Sequence, residues 1–394
     1  MTKPPLVYDP YAYEIHEDPY PTYRRLRDEA PAYFNPDRQF WALSRYHDVY
    51  QAFHDWETYS SAEGVSLERS TTGGLPMIIS MDPPRQAKLR KLVSKAFTPR
   101  RVATMEPVIR ALTRKWLAPL LARGEGDFIE DFSAKLPMDA ISVLIGVPAE
   151  DQDLVRGWAD ALLHRNPGDD SIPPAGLEAS ANMIRYFAQV VGRRRGAPAE
   201  DLVSDLIVAE IDGEHLADDE IIGFCFLLAI AGNETTTKML GNAIYQLGRH
   251  PDQRALVVRE PSRIPDVVEE TLRFDNSTQM LARTLARNVT LHERTLRAGE
   301  RLVLLLGSGN RDERVFARAD AFDITRPPQP HLGFGYGMHV CLGASLARLE
   351  GRVALEEFLP YAADYVIDES GLVRVHSANV RGYAHVPIRF QPVA

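Results

Sequence analysis

One segment constrains the architecture more than any other. From Asp218 to Pro251 the chain reads as a single long helix, with Asp218, Asp219 and Glu220 in its first turn and Gly248 and Pro251 marking its end. The stretch between those end signals runs about 45 Å at 1.5 Å per residue. Its first half, IIGFCFLLAIA, is apolar on every side and calls for a large core around it. A chain of 394 residues, 45% hydrophobic and 25% charged, can supply that core. The middle of the helix then breaks the pattern. Residues 231–237 read AGNETTT, which sets a glycine, an acid and three β-branched threonines inside buried apolar turns. An acid there is costly unless it has a use, and local rules give way most often at functional sites. The plain alternative is that Thr235 bonds back to the Ala231 carbonyl while Glu234 reaches solvent.

The rest of the chain is mainly helical. Apolar periodicity predicts helices over 19–30, 45–56, 85–96, 99–122, 136–145, 151–164, 177–195 and 201–211. Strands are few and short: 40–44, 289–292, 301–306 and 384–390. No repeat, low-complexity tract or long linker appears, so the expectation is one domain over 1–394, mainly α with a small β region, behind an extended 1–18 segment. The longest apolar run, Ile221–Ala231, is about half of the ~20 residues a membrane span needs. The N-terminus lacks a signal-peptide pattern, two cysteines give no disulfide framework, and a cytoplasmic protein is expected. A net charge of −9 argues against nucleic acid. GFGYG at 333–337 lacks the spacing of a dinucleotide loop, and there is no iron–sulfur cysteine cluster. The chain therefore has no means of its own to take electrons from a nicotinamide.

Cys225 lies within an apolar helix pattern and reads as core. Cys341 is different. It sits in FGYGMHVCLG, a glycine-bent loop that feeds a helix with Leu342, Leu346, Leu349 and Val353 on one face. A helix N-terminus favours a thiolate, which is a metal ligand or a nucleophile; the alternative is a small buried hydrophobe. The joint pattern of Phe334, Gly335, Gly337, His339, Cys341 and Gly343 resembles the haem-binding loop of the cytochromes P450.

That resemblance covers the chain from about Pro19 to the C-terminal strands, and it implies a helical prism around a buried haem b with Cys341 as axial ligand. It makes Thr235 the alcohol that hydrogen-bonds bound dioxygen and Glu234 the acid that relays protons, with the small Ala231–Gly232 pair letting the helix open. Glu270 and Arg273 match the family's ExxR pair, weak by itself, and Arg326 matches the arginine that joins it; the Asn310–Asp312 run resembles the segment before that arginine. Arg90, Arg283 and His339 are nominated for the haem carboxylates. Gln86 stands where many relatives carry histidine, so Arg90 is expected to carry more of that task. The implied substrate lining is apolar: Leu227, Ile230, Ala231, Met77, Ile78, Ile79, Met280 and Leu281. The 166–176 loop is expected to be a lid hinge. Seven basic residues (Arg85, Lys88, Arg90, Lys91, Lys95, Arg100, Arg101) are either a solvated face or a docking patch for an acidic redox protein. Implied partners are O2, a ferredoxin and an NAD(P)H-dependent ferredoxin reductase, with the protein a monomer. The expected function is hydroxylation or epoxidation of a hydrophobic natural product such as a macrolide, terpenoid or steroid. A peroxide-driven peroxygenase and a non-catalytic haem sensor are the alternatives.

Overall fold

The computed structural model describes residues 4–68, 74–163, 172–211 and 213–391. The chain divides into two compact units, one of residues 1–70, 238–341 and 365–387, the other of residues 71–237, 342–364 and 388–394.

The first unit is organised by a five-stranded sheet in the order Ala32–Asn35, Phe40–Leu43, Arg301–Leu305, Met280–Leu285, Tyr59–Ser60. Arg301–Leu305 runs parallel to Phe40–Leu43 and antiparallel to Met280–Leu285, with Leu302 opposite Arg283. Both faces are buried. Tyr8, Tyr23, Leu26, Phe40, Met280, Ala282 and Val303 form one cluster. Trp41, Leu43, Phe53, Leu285, Leu302, Leu304 and Phe316 form the other. Two buried faces make the strand sequences continuously apolar and erase the alternation that marks a half-exposed strand. Met280–Leu285 (MLARTL), which carries Arg283 and Thr284 between its apolar residues, was not expected as a strand. The Tyr46–His54 helix packs against the second face through Tyr46, Val49, Ala52 and Phe53.

The second unit is helical. Leu136–Ile145, Gln152–Leu163, Pro174–Gly196 and the apolar part of the long helix enclose a core that includes Met138, Met183, Phe187, Phe224, Cys225 and Phe226. Glu106–Arg123 packs on Ala344–Phe358. The long helix is unbroken over Asp218–Arg249, close to its expected span. The AGNETTT stretch is thus helical throughout, and no opening interrupts it. Gly232 has a packing reason: a Cβ there would lie 2.3 Å from Ile141 Cδ1. Thr237 donates to the Ser133 carbonyl at 3.0 Å, which satisfies a buried hydroxyl.

Other boundaries moved where proline and glycine act. The expected 99–122 helix is two, Pro99–Thr104 and Glu106–Arg123, the second restarting with Pro107 in its first turn. The 201–211 helix stops at Val208, and Glu210–Ile211 pairs with Glu214–His215 as a hairpin; Asp212-Gly213 between them was the unread signal. The 384–390 strand is two, Tyr383–His385 and Pro387–Arg389. Among the described residues, no helix is long and apolar enough to cross a membrane.

Candidate functional site

In the first unit, the cysteine loop is a sequence of tight turns. Residues Leu332–Phe334 and Gly337–His339 form single 3₁₀ turns, and the Cys341 N–H donates to the Phe334 carbonyl at 2.8 Å. Gly337 has φ +66°, and a Cβ there would lie 2.2 Å from the Phe53 carbonyl oxygen. No other residue tolerates both conditions. Phe53 thereby sets how closely the loop lies on the Tyr46–His54 helix, a role its sequence gave no sign of. Cys341 is exposed, unlike Cys225, whose burial pushes its thiol up to about 12. His339 is half-buried. Arg283 is almost fully buried on its strand, where it donates to the Ala282 carbonyl at 2.7 Å and its guanidinium lies 5.6 Å from the Phe53 ring.

Behind the loop, the ExxR pair is anything but a solvated helix face. Glu270 and Arg273 are 5% and 3% exposed and joined by two hydrogen bonds of 2.8 and 2.7 Å. Arg273 also donates to the carbonyls of Asn310, Ala319 and Ala321. Arg326 lies 3.5 Å from Glu270 and holds the carbonyls of Arg318 and Ala321. Asn310 ties this knot to the loop: it receives the Leu332 N–H at 2.6 Å and donates to the Leu272 carbonyl at 3.2 Å. Arg311 donates to the Phe274 carbonyl, and Asp312 receives the Tyr46 N–H. Every donor on Arg273 is thus aimed at a fixed acceptor, as a buried guanidinium requires.

In the second unit, the long helix presents an uneven surface. Phe224, Cys225, Phe226 and Ala229 are buried in the core, whereas Leu227, Ile230, Glu234 and Thr235 are half-buried and Ala231 is exposed. The expected face of Leu227, Ile230, Ala231 and Thr235 is therefore the less buried one. Thr235 Oγ1 donates to the Ala231 carbonyl at 2.8 Å, the back-bonded geometry foreseen as the plain alternative. Arg90 and Gln86 lie one turn apart on Arg85–Val93, Gln86 buried and Arg90 half-buried, so they share a face. Met77 and Ile79 are half-buried, and the Pro76 carbonyl crosses the long helix at Gly223.

Several expected site residues are placed elsewhere. Met280 is fully buried in the N-terminal cluster and receives the Tyr8 hydroxyl, so it faces away from Leu281 across the sheet. Ile78 belongs to the helical core. The basic run loses much of its charge: Arg85 pairs with Glu220 and Glu214, Lys88 with Glu214 at 2.8 Å, and Arg101 with Asp205. Of the 166–176 loop, residues 166–171 lie outside the described residues, and a helix begins at Pro174.

These residues suit a haem. An exposed thiol on a loop without side chains at 335 and 337, with Arg283 and His339 in the same unit, supplies an axial ligand and cationic or N–H partners for carboxylates. Comparison with known proteins agrees. The cytochrome P450 family model matches residues 180–361. A Mycobacterium tuberculosis protein named putative cytochrome P450 123 is 51% identical over 393 residues, 98% of each chain. Vitamin D(3) 25-hydroxylase of Pseudonocardia autotrophica is 37% identical, covering 98% of this chain and 97% of its own. Substrate-free CYP109E1 from Bacillus megaterium superposes with a TM-score of 0.90 at 33% identity, covering 95% of this chain and 99% of its own; it is also known in complex with corticosterone. The thiol-bearing loop, the buried ExxR knot and these full-length likenesses together mean that the chain belongs to the cytochrome P450 family of haem-thiolate monooxygenases.

Proposed function

We propose that this monooxygenase hydroxylates a lipophilic small molecule of steroid-like size, with electrons from a ferredoxin reduced by an NAD(P)H-dependent reductase. The observation that carries the site assignment is the exposed Cys341 thiol on its glycine-bent loop, in a chain whose other cysteine is core. Cys341 would be the axial ligand, with Arg283, His339 and Arg90 holding the haem carboxylates. When bound, haem supplies dioxygen reduction and O–O cleavage.

The chain's own residues handle protons and position. Thr235 has its hydroxyl proton on the Ala231 carbonyl, so its oxygen lone pair can accept a hydrogen bond from a protonated neighbour. To donate, it must rotate away from Ala231. Glu234, half-buried beside it, is the group able to return a proton from solvent. Leu227, Ile230, Ala231, Met77, Ile79 and Leu281 form the apolar lining of this proposal; Met280 and Ile78 are left out of it. An apolar lining selects an apolar substrate. The vitamin D hydroxylase and the corticosterone complex among the relatives support the steroid end of the expected range. With Arg85, Lys88 and Arg101 ion-paired, the solvated-face reading of that run is favoured over a docking patch.

Reduced protein exposed to carbon monoxide should give the absorption of a thiolate-ligated haem; an imidazole-type band would reject Cys341. A panel of steroids, macrolides and terpenoids is then screened for the Soret shift that reports displacement of the sixth ligand, and hits are turned over with NADPH and surrogate ferredoxin proteins. Turnover with hydrogen peroxide alone would mark a peroxygenase instead. Thr235→Ala should lower product formed per NADPH by roughly tenfold or more, with peroxide in its place, and Thr235→Ser should restore coupling. Unchanged coupling in Thr235→Ala removes Thr235 from proton delivery.

A further inference from the structure

Two hydrogen bonds meet on one enclosed ring at the foot of the cysteine loop. His331 immediately precedes the Leu332–Phe334 turn, and its side chain is 7% exposed. Its Nδ1 accepts the Gly333 N–H at 3.0 Å and so caps that turn. A backbone N–H can only donate, so Nδ1 holds a lone pair and the ring proton lies on Nε2. Nε2 is 3.1 Å from Glu269 Oε2 and donates to it. Glu269 stands beside Glu270 on the Ile264–Phe274 helix. That helix is therefore fastened to the loop at one residue and to Arg273 at the next. The fit is close: a Cβ on Gly333 would lie 2.9 Å from both Nδ1 and the Leu272 carbonyl oxygen.

The connection continues to the cysteine. The capped turn is closed by the Gly335 N–H on the Leu332 carbonyl at 2.8 Å, and it ends at Phe334, whose carbonyl accepts the Cys341 N–H at 2.8 Å. From Glu269 to Cys341 every link is a hydrogen bond or a single turn of backbone. Capping alone does not call for histidine, since asparagine or serine accepts the same N–H. Imidazole adds a donor one atom further from the backbone than an asparagine amide, and here that donor is on Glu269.

We infer that His331 is a positioning residue for Cys341. Its Nδ1 fixes the turn whose last carbonyl holds the Cys341 N–H, and Glu269 fixes the ring by taking the proton of Nε2. This rests on the reading that Cys341 binds haem. Loosening the turn frees the Cys341 backbone, and a sulfur held less firmly is a weaker and more easily protonated ligand.

The test compares variants of the full-length holoenzyme. His331→Asn keeps an acceptor near the Nδ1 position. His331→Gln keeps a donor near the Nε2 position and removes the cap. His331→Phe removes both, and Glu269→Leu, at a half-exposed site, removes only the anchor. The readouts are the rate at which the reduced, carbon monoxide-bound protein loses its thiolate-type band, the ferric/ferrous potential, and the urea midpoint. His331→Phe and His331→Gln should lose the band roughly fivefold faster or more, with His331→Asn within about twofold of the natural protein and Glu269→Leu between them. The potential should rise in the same order. Should His331→Phe fail to fold, the asparagine and glutamine variants still rank the acceptor against the donor. His331→Asn as poor as His331→Gln, or His331→Gln unchanged, overturns the inference. Glu269→Leu indistinguishable from the natural protein overturns the anchor. A change in urea midpoint with band lifetime and potential unmoved marks a merely structural cap and also overturns it. A natural protein without the thiolate band rejects the haem reading instead; a normal band without this ranking rejects the positioning role alone.

Discussion

Two arginine–carboxylate networks in this protein use the same chemistry in opposite surroundings. In the first unit, Glu270, Arg273 and Arg326 lie under the cysteine loop, 9% exposed or less. In the second, Glu106, Arg110, Arg114, Arg352, Glu356 and Glu357 lace Glu106–Arg123 to Ala344–Phe358 across a half-exposed seam, with Arg110 alone reaching three glutamates. Paired arginines hold Glu106 and Glu357 below the usual carboxylate range, but water and salt screen them. The buried knot has no such solvent to fall back on. Its arginine is answered by a carboxylate and three carbonyls, and removing one partner leaves the others stranded. The surface seam adds adhesion between helices; the buried knot fixes where the loop's supporting turns lie.

The difference can be broken most directly at Arg273. Arg273→Ala should destabilise the protein by about 3–5 kcal/mol, the cost of an uncompensated buried carboxylate. Little thiolate-type carbon monoxide absorption should survive. Urea unfolding and the yield of that band measure both effects; a loss under 1 kcal/mol would mean that the knot is no different from the seam.

Glu350 sharpens the contrast, because it is buried without any arginine. Its side chain is 2% exposed, one oxygen has no hydrogen-bond partner, and desolvation raises its carboxyl from 4.5 to about 8. A raised acid destabilises the fold as pH rises. Below about 4.5 both states are protonated and nothing is lost. Between 4.5 and 8 only the unfolded state ionises, so stability falls by up to about 1.4 kcal/mol per pH unit. Above 8 the penalty is constant. Glu350→Gln should therefore gain in urea midpoint over the natural protein as pH is raised from 5 to 8 and hold that gain beyond. A difference independent of pH would contradict the burial argument.

The smallest effect is expected at the seam. Arg110→Ala should cost about 1 kcal/mol at low salt and less at high salt. Glu106 is lowered in the folded state, so its share is present above the unfolded value near 4.5 and fades as pH falls below it. Thermal unfolding at two ionic strengths reads this; a salt-independent loss would place Arg110 with the buried class.

Short local motifs were legible in the sequence and the sheet was less so. Cys341, Glu270, Arg273, Arg326 and Thr235 were nominated from a family resemblance carried by short motifs, each held in a loop or a few turns where neighbours in sequence are neighbours in space. The helix over Leu136–Ile145 and the long helix emerged with nearly their true bounds for a similar reason, since periodicity and end signals are local. Met280 failed because strand pairing decides its side: Met280 and Ala282 face one buried cluster and Leu281 the other. The pairing of Arg85, Lys88 and Arg101 could not be read from the run itself, because their acids, Asp205, Glu214 and Glu220, lie more than a hundred residues away in the chain. Phe53 was missed, and Asn310 was noted only as part of the run before Arg326, because their roles rest on backbone contacts that only folding brings about.

What the amino-acid order determined alone was the identity of the reactive groups and the helices that bear them: a thiol in a glycine-bent loop, an acid–alcohol pair in an apolar helix, an arginine three residues after a glutamate. Tertiary structure decided which charges cancel and which oxygens are left without partners. Helix and turn formation are governed by contacts within a few residues, whereas burial and ion pairing depend on segments that meet only when the whole chain has packed.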